Sequence, residues 1–457
     1  MADTFRRDAL HGKTLGDGCV TESPRRVPVR SDVDVLVCGG GPAGVTAALA
    51  AARQGARTLL VERYGMLGGV WTAGLMNPFF ECMDRGWIVQ ELVDRLRAAG
   101  ALRNWYYSHT FDTEVMKLLL EEMATAAGVT LLYHTLVVDA IVEDSRLRGV
   151  VLESKAGREA VTAKVVVDAT GDGDVAARAG CRYEFGRPSD GLLQPMTLMF
   201  EIRGLGDWEM NDARVLYDAM TEAMAREKIP YEMPFSRSKA VPWIISAPPR
   251  GTGDVQLTHV YRMNTLDPTD LTRGTIEARR QAHQAMAVLK RVPGLEGIEL
   301  VQTAPQIGVR EGRRVRGRHW LTVADLKAGR RFDDAVTSCG FVVDIHDVEG
   351  RAEGAQKPLI RIQPYEIPYR CLVAEDVRGL LLAGRCISGS HEAHASYRVT
   401  GTCAAMGQAA GLAAAWTAAD NGADVAELPG ERLRAFLADH GARFLDDGMT
   451  MSVPEKE

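Results

Sequence analysis

The chain has no Cys-x-x-Cys pair, since its 8 cysteines are scattered through 457 residues. An exchanging dithiol is thereby excluded, and no cysteine spacing matches a zinc site. Cys38, Cys386 and Cys403 sit beside apolar or glycine-rich stretches and are expected as small buried hydrophobes. Also missing is an uninterrupted apolar run long enough to span a bilayer. The N-terminus carries Arg6 and Arg7 but lacks the apolar core of a secretory signal, so no membrane role is expected and the cytoplasm is the expected compartment. Nor is there a surplus of positive charge: 54 Lys and Arg against 60 Asp and Glu leave a formal net charge of −6, which argues against a nucleic-acid partner.

What is present is a large apolar fraction, 46%, in a chain long enough for about two to three domain-sized units. Its most telling stretch starts at Asp32 and reads DVDVLVCGGGPAGVTAALAAARQGARTLLVERYGMLGG. A short apolar run, Val33 to Val37, leads into Gly39, Gly41 and Gly44 and then into an alanine-rich helix. Gly39 permits a tight turn, Gly41 lets backbone approach a pyrophosphate, and Gly44 allows the helix to pack close to the strand. The helix N-terminus adds unpaired N–H groups and partial positive charge. A second apolar run, Thr58 to Val61, delivers Glu62, whose carboxylate accepts ribose hydroxyls and would repel a 2′-phosphate. Gly65, Gly68 and Gly69 then read as a second backbone approach to a longer, folded cofactor, which favours FAD over NAD.

With VERYGMLGG followed by Thr72 and Gly74, VVVDATGDGDVAARAG, PQIGVREGRRVRG, FVVDIHD and IPYRCLVAEDVRGLLLAGRCISGSHEAHASYRVTGTCAAMGQAAG, this clamp resembles the FAD-dependent oxidoreductase family of glutathione-reductase-like flavoproteins. The resemblance runs from about residue 30 to residue 420. It implies an α/β fold, with a glutathione-reductase-like Rossmann domain that binds FAD and an inserted α+β substrate domain. It implies FAD contacts from Gly39, Gly41, Pro42, Ala43, Gly44, Glu62, Arg63, Gly68, Gly69, Thr72, Val137, Gly171, Asp172, Gly384, Arg385 and Gly401. The helix starting near Gly401 is implied to aim its N-terminus at the N1–C2=O edge of the isoalloxazine. Many relatives have Gly-Asp where this chain has Gly384-Arg385; arginine cannot accept a hydroxyl proton, so it is expected to meet the pyrophosphate or a substrate carboxylate.

The expected division is an N-terminal arm (1–31), the first part of the FAD domain (32–185), an inserted substrate domain (186–366), the second part of the FAD domain (367–425), and a C-terminal helix and tail (426–457). Residues 1–31 show no sustained periodicity and read as an extended surface arm. FDTEVMKLLLEEMATAAG and DLTRGTIEARRQAHQAMAVLKRVPG read as helices, while MTLMFEIRG, VPWIISAP and DVQLTHVYRM read as strands.

Four residues are candidates for chemistry: His391, His394 and Arg398 in SHEAHASYRVTG, and His346 in FVVDIHD, an apparent strand with Asp344, His346 and Asp347 on alternating sides. Imidazole exchanges a proton near neutral pH and suits general acid–base work; the H-x-x-H pair lacks a further strong ligand, so no metal is expected. In GVREGRRVRGRH, Arg310 and Glu311 are expected to pair, with the outer arginines solvated. The function expected is oxidation of a small-molecule substrate by hydride transfer to FAD. The alternative is a flavin-dependent monooxygenase using NAD(P)H and oxygen, although no second G-x-G-x-x-G unit is visible.

Overall fold

The computed structural model describes residues 13–16, 19–105, 108–208, 213–236, 243–350, 360–420 and 423–445. Residues 1–12 of the expected arm and residues 446–457 of the expected tail lie outside them. The described part of the arm differs from the expectation of an extended strap: Lys13–Gly16 and Cys19–Glu22 pair as an antiparallel hairpin, and the opening strand starts at Val29.

Five strands form a parallel sheet in the order Thr130–Leu132, Thr58–Val61, Val29–Cys38, Gly157–Asp168, Leu380–Leu382. The carboxyl-terminal ends of the inner strands are continuous apolar runs because both faces are covered there; Val35, Leu36, Val37 and Cys38, Val165 to Val167 and Leu380 to Leu382 are wholly buried. Register matters more here than strand count. Cys38 stands opposite Val61 on one side and Asp168 on the other, and Asp168 stands opposite Leu382. Four carboxyl ends are therefore level, and the loops after them emerge along one edge, where open α/β sheets bind ligands. The first half of Gly157–Asp168 turns antiparallel, pairing with Arg146–Ser154 and through it with Leu136–Glu143.

A four-stranded antiparallel sheet, ordered Trp243–Ala247, Thr252–Gln256, Phe200–Arg203, Glu299–Thr303, has its own core with helices Ala213–Glu227 and Pro268–Leu289. A third apolar cluster, including Leu75, Met196, Met199 and Ile307, joins it to the region around the parallel sheet. FVVDIHD is not the strand its alternation predicts. Two of its N–H groups find partners elsewhere, Asp344 N donating to the Ala395 carbonyl and His346 N to Gln194 Oε1, and among the described residues no strand ladder forms along it.

Behind the sheet edge, helix Pro42–Arg53 lies against helix Thr400–Ala419 at backbone distance. Thr46 Oγ1 donates to the Ala404 carbonyl at 2.7 Å, and a Cβ on Gly407 or Gly411 would stand 2.0 Å from the carbonyl oxygen of Ala43 or Ala47. Only glycine permits that approach, which holds the residues after Leu382 onto the start of the first helix. Gly407→Ala and Gly411→Ala should each destabilise the fold by about 1–3 kcal/mol, as overpacking does. Gly297→Ala, whose added Cβ meets nothing within 4 Å, is the control. Chemical-denaturation midpoints check this: equal midpoints for all three variants would disprove the backbone-contact account.

Candidate functional site

The loop between Val29–Cys38 and Pro42–Arg53 assigns each glycine a different steric task. Gly39 has φ +100°, and a Cβ there would fall 2.4 Å from the Ala169 carbonyl. A Cβ on Gly44 would lie 1.7 Å from the Gly39 carbonyl, so strand and helix can close only over glycine. Gly41, at the N-cap, is different: a Cβ there meets no atom within 4 Å. The structure itself therefore does not need glycine at 41, whereas a ligand approaching the backbone would. Pro42 and Ala43 open the helix.

Glu62 ends its strand buried beneath this loop. Its Oε2 accepts from Gly40 N at 2.6 Å and its Oε1 from Tyr64 N at 2.8 Å, which fixes the carboxylate beside the glycines. The Gly68–Gly69 turn also lies on the loop, through Gly68 N donating to the Gly40 carbonyl and through Gly69, where a Cβ would fall 2.9 Å from Gly41 Cα. Thr72 Oγ1 donates back to the Leu67 carbonyl, and exposed Arg63 lies over the Tyr64 ring. Val137, half-buried, follows Thr135, whose N–H donates to the Glu62 carbonyl.

The two other strand ends complete the edge. Asp168 accepts from Thr170 Oγ1 and from Ala176 N and is pushed up to about 6 by burial; these bonds shape the turn holding Gly171, at φ +84°, and Asp172. Gly384, at φ +89°, lies where a Cβ would be 3.1 Å from Ala43 Cβ, against the first turn of the pyrophosphate helix. Arg385 reaches Asp172 Oδ1 at 3.2 Å and donates to the Val309 carbonyl at 2.8 Å. Gly401, in the first turn of helix Thr400–Ala419, donates its N–H to the Phe80 carbonyl at 2.9 Å, and a Cβ there would fall 2.3 Å from that oxygen, so glycine is required by the Phe80–Glu81 backbone.

Above this edge lies a buried polar network. His346 Nδ1 is 3.2 Å from His259 Nε2, and its Nε2 is 3.2 Å from Asp344 Oδ2. Arg398 Nη2 donates to the same Asp344 oxygen and to the Asp344 carbonyl. Burial raises the Asp344 pKa, but His346, Arg398 and Arg310 together hold the carboxyl well below the usual carboxylate range. Burial and then Arg310 push the His346 imidazolium down, with Asp344 opposing them. His259 is likewise lowered by burial and by Arg310.

His391 lies elsewhere, its Nδ1 2.7 Å from Glu311 Oε1. His394 is wholly buried with neither ring nitrogen bonded among the described residues, and burial followed by the charges of Arg314 and Arg398 drives its pKa well down. Thus Arg398 and His346 meet, while His391 and His394 belong to the neighbouring helix and its Glu311 contact. Glu311 also overturns the expected Arg310–Glu311 pair. Its Oε1 takes Arg314 Nη1 at 2.6 Å, and Arg314 is fully buried rather than solvated, because Glu311, the Gly186 carbonyl and Glu184 surround its guanidinium. Arg310 instead donates to the Pro195 carbonyl and to Thr197 Oγ1. Sequence reading missed His259 and Gln194; the only available signal was a histidine within an apolar β-like run.

These residues fit FAD. The open backbone at Gly41, the carboxylate beside it, and buried Thr402 Oγ1 and His391 Nε2, which have no hydrogen-bond partner among the described residues, are features a dinucleotide with a polar ring system satisfies. Gly41→Val should leave apoprotein folding unchanged yet abolish flavin retention, whereas Glu62→Ala should weaken FAD by about 1.5–3 kcal/mol, the worth of hydrogen bonds to a charged group. Flavin absorbance per polypeptide, alongside apoprotein melting, measures both; full flavin in the Gly41 variant would mean the phosphates lie elsewhere.

Several known proteins resemble this chain. A thiamine thiazole synthase of Methanococcus vannielii is 33% identical over 154 residues, covering 31% of this chain and 56% of that protein. One from Aeropyrum pernix is 35% identical over 159 residues, covering 32% and 57%. The chain thus spans little more than half the length of these curated relatives. Among solved structures, a geranylgeranyl bacteriochlorophyll reductase-like protein of Thermoplasma acidophilum aligns over 90% of this chain and 84% of that one, with 14% identity and a TM-score of 0.49. An anhydrotetracycline hydroxylase of Streptomyces rimosus aligns over 90% and 66%, with 15% identity and a TM-score of 0.46. Residues 34–437 match the family model described as FAD dependent oxidoreductase, so the chain belongs to that family and FAD is its cofactor.

Proposed function

We propose that the protein oxidises a small organic molecule by hydride removal, with the proton that leaves the substrate's hydroxyl or amine taken at His259 Nδ1, which has no partner among the described residues, while the His259 Nε2 proton passes to His346 Nδ1. Bound FAD supplies the two-electron acceptor, reoxidised by oxygen or another acceptor. Everything else in the reading concerns this chain's own groups. The supporting observation is the chain of buried His259 and His346 with half-buried Asp344 and Arg398, in which one imidazole lies between a second imidazole and a carboxylate. Desolvation keeps His346 neutral and thus able to take a proton, and Asp344 stabilises the imidazolium that results. Asp344 acts here as a positioning residue. Arg398 carries the network toward the flavin side, because its carbonyl accepts from Cys403 Sγ at 3.3 Å, and Cys403 lies 4.0 Å from a would-be Cβ on Gly384.

Anaerobic mixing is the direct test. An organic reductant should bleach the bound flavin without any nicotinamide. Reduction by NADH or NADPH alone, accelerated by an organic compound that is itself not a reductant, would replace this reading with the monooxygenase. The pH profile probes His346 separately. Because burial and Arg310 depress its pKa, the acidic limb of kcat/KM should lie below about 6.5, the usual histidine value. Asp344→Asn removes the one group that opposes the depression, so the limb should move to still lower pH while kcat falls. A limb that stays in place would remove His346 from the proton transfer.

A further inference from the structure

Among the described residues, the distribution of charge at the junction between the two sheets leaves Arg310 without an ion pair. Arg314 pairs with Glu311, Arg313 with Asp174, Arg385 with Asp172 and Arg398 with Asp344. Arg310 pairs with no acid among the described residues. It is 8% exposed, and its only hydrogen bonds among the described residues come from Nη1, at 2.6 Å to the Pro195 carbonyl and 2.7 Å to Thr197 Oγ1. Its Nε and Nη2 edge donates to nothing among the described residues. Asp344 lies near enough to act on it electrostatically but already holds Arg398 and His346. A buried guanidinium in this condition carries a desolvation penalty of several kcal/mol that only a paired anion offsets.

The neutral groups beside it point the same way. Gln194 gives its Oε1 to His346 N, while its Nε2, a buried donor, has no acceptor among the described residues. Arg398 Nε is a second buried donor without one among them. The network therefore has donors in surplus, and the group that would satisfy them is an acceptor bearing negative charge. One uncompensated positive charge and one free planar N–H edge match a carboxylate, which takes two parallel N–H bonds, better than a phosphate dianion.

We propose that Arg310, held by Thr197, anchors a carboxylate of the substrate, so that the enzyme acts on a small organic acid. This rests on reading the junction as the substrate site. The anchor and the base share one framework: Thr197 Oγ1 donates to the Thr258 carbonyl at 2.9 Å, and the next residue, His259, is 3.2 Å from His346. The hydroxyl or amine that loses its proton would then lie between the carboxylate and His259.

The test is an equilibrium titration of the oxidised, FAD-loaded protein with acetate and benzoate and with their neutral counterparts, acetamide and benzamide. Flavin difference spectra and the melting temperature are read together. The acids should perturb the flavin saturably and raise the melting temperature, and the amides should do neither. Arg310→Gln should weaken acid binding at least tenfold with normal FAD content. Arg310→Lys should fall between, since it keeps charge but loses the fork, and Thr197→Val should weaken binding by a smaller factor; these two decide the matter if the glutamine variant does not fold. Amides binding as tightly as acids, no acid binding at all, or acid binding unchanged in the Arg310 variants would overturn the proposal. No turnover is involved, so this result stands apart from the anaerobic reduction test: carboxylate binding without flavin bleaching would sink the hydride reading alone.

Discussion

The register that sets Cys38 beside both Val61 and Asp168, and Asp168 beside Leu382, is the constraint on which the site depends. Parallel strands bury both faces, so a one-residue slip would turn an entire apolar run toward the wrong side. The register is therefore fixed by packing. With it are fixed the origins of four loops, from which Gly41, Glu62, Asp172 and Arg385 project. Residues separated by more than three hundred positions meet because hydrophobic burial aligns the strands that carry them. The glycine contacts then set the distance: Gly44 on Gly39 closes the first turn, and Gly407 and Gly411 let the last helix lie against the first.

Charge is arranged around that apolar frame with little slack. Glu311 is wholly buried and takes both Arg314 and His391, an arrangement costly to break because either partner alone would leave an uncompensated group in a low-dielectric interior. Asp344 plays the same part for Arg398 and His346. Two carboxylates thus organise two cations and two imidazoles. The lowered pKa values of His346 and His394 follow from the same crowding, since each is buried near arginines that disfavour a further positive charge.

The clamp was legible in the sequence because its signals are local. Glycine spacing, an apolar run on either side and an acid after the second strand occupy one continuous stretch, and each has a steric or electrostatic meaning independent of the rest of the chain. Helices Thr113–Ala126 and Pro268–Leu289 were legible for the same reason, with Asp112 and Asp267 capping their N-termini. The network was not. Its pairings join Glu311 to His391 and His259 to His346, across 80 and 87 residues, and no local pattern encodes them. Adjacent Arg310 and Glu311 seemed natural partners in a line of text, but neighbouring side chains on an extended backbone point apart, and each found its partner on another element. FVVDIHD failed as a strand for a related reason: alternation describes which faces are apolar, whereas strand formation also requires a neighbour for the backbone, and here Gln194 and Ala395 supply the acceptors instead.

Arg385 ties these two levels together. After the Leu380–Leu382 strand this chain places a guanidinium, and its acid partner, Asp172, comes from the adjacent turn. The pair keeps a carboxylate at the edge while leaving the guanidinium a further donor. That donor goes to the Val309 carbonyl, immediately before Arg310, and the residue immediately after Arg310 is Glu311, held by His391. Arg310 is therefore gripped on both sides by bonds from the segment that follows Leu382. Its side chain reaches across to Thr197 beside the second sheet, while its backbone is fixed relative to the flavin clamp. A change at 385 should thus be felt at 310 without any direct contact between the two guanidiniums, because the chain between them has a single bonded arrangement and the strand register sets where that arrangement begins.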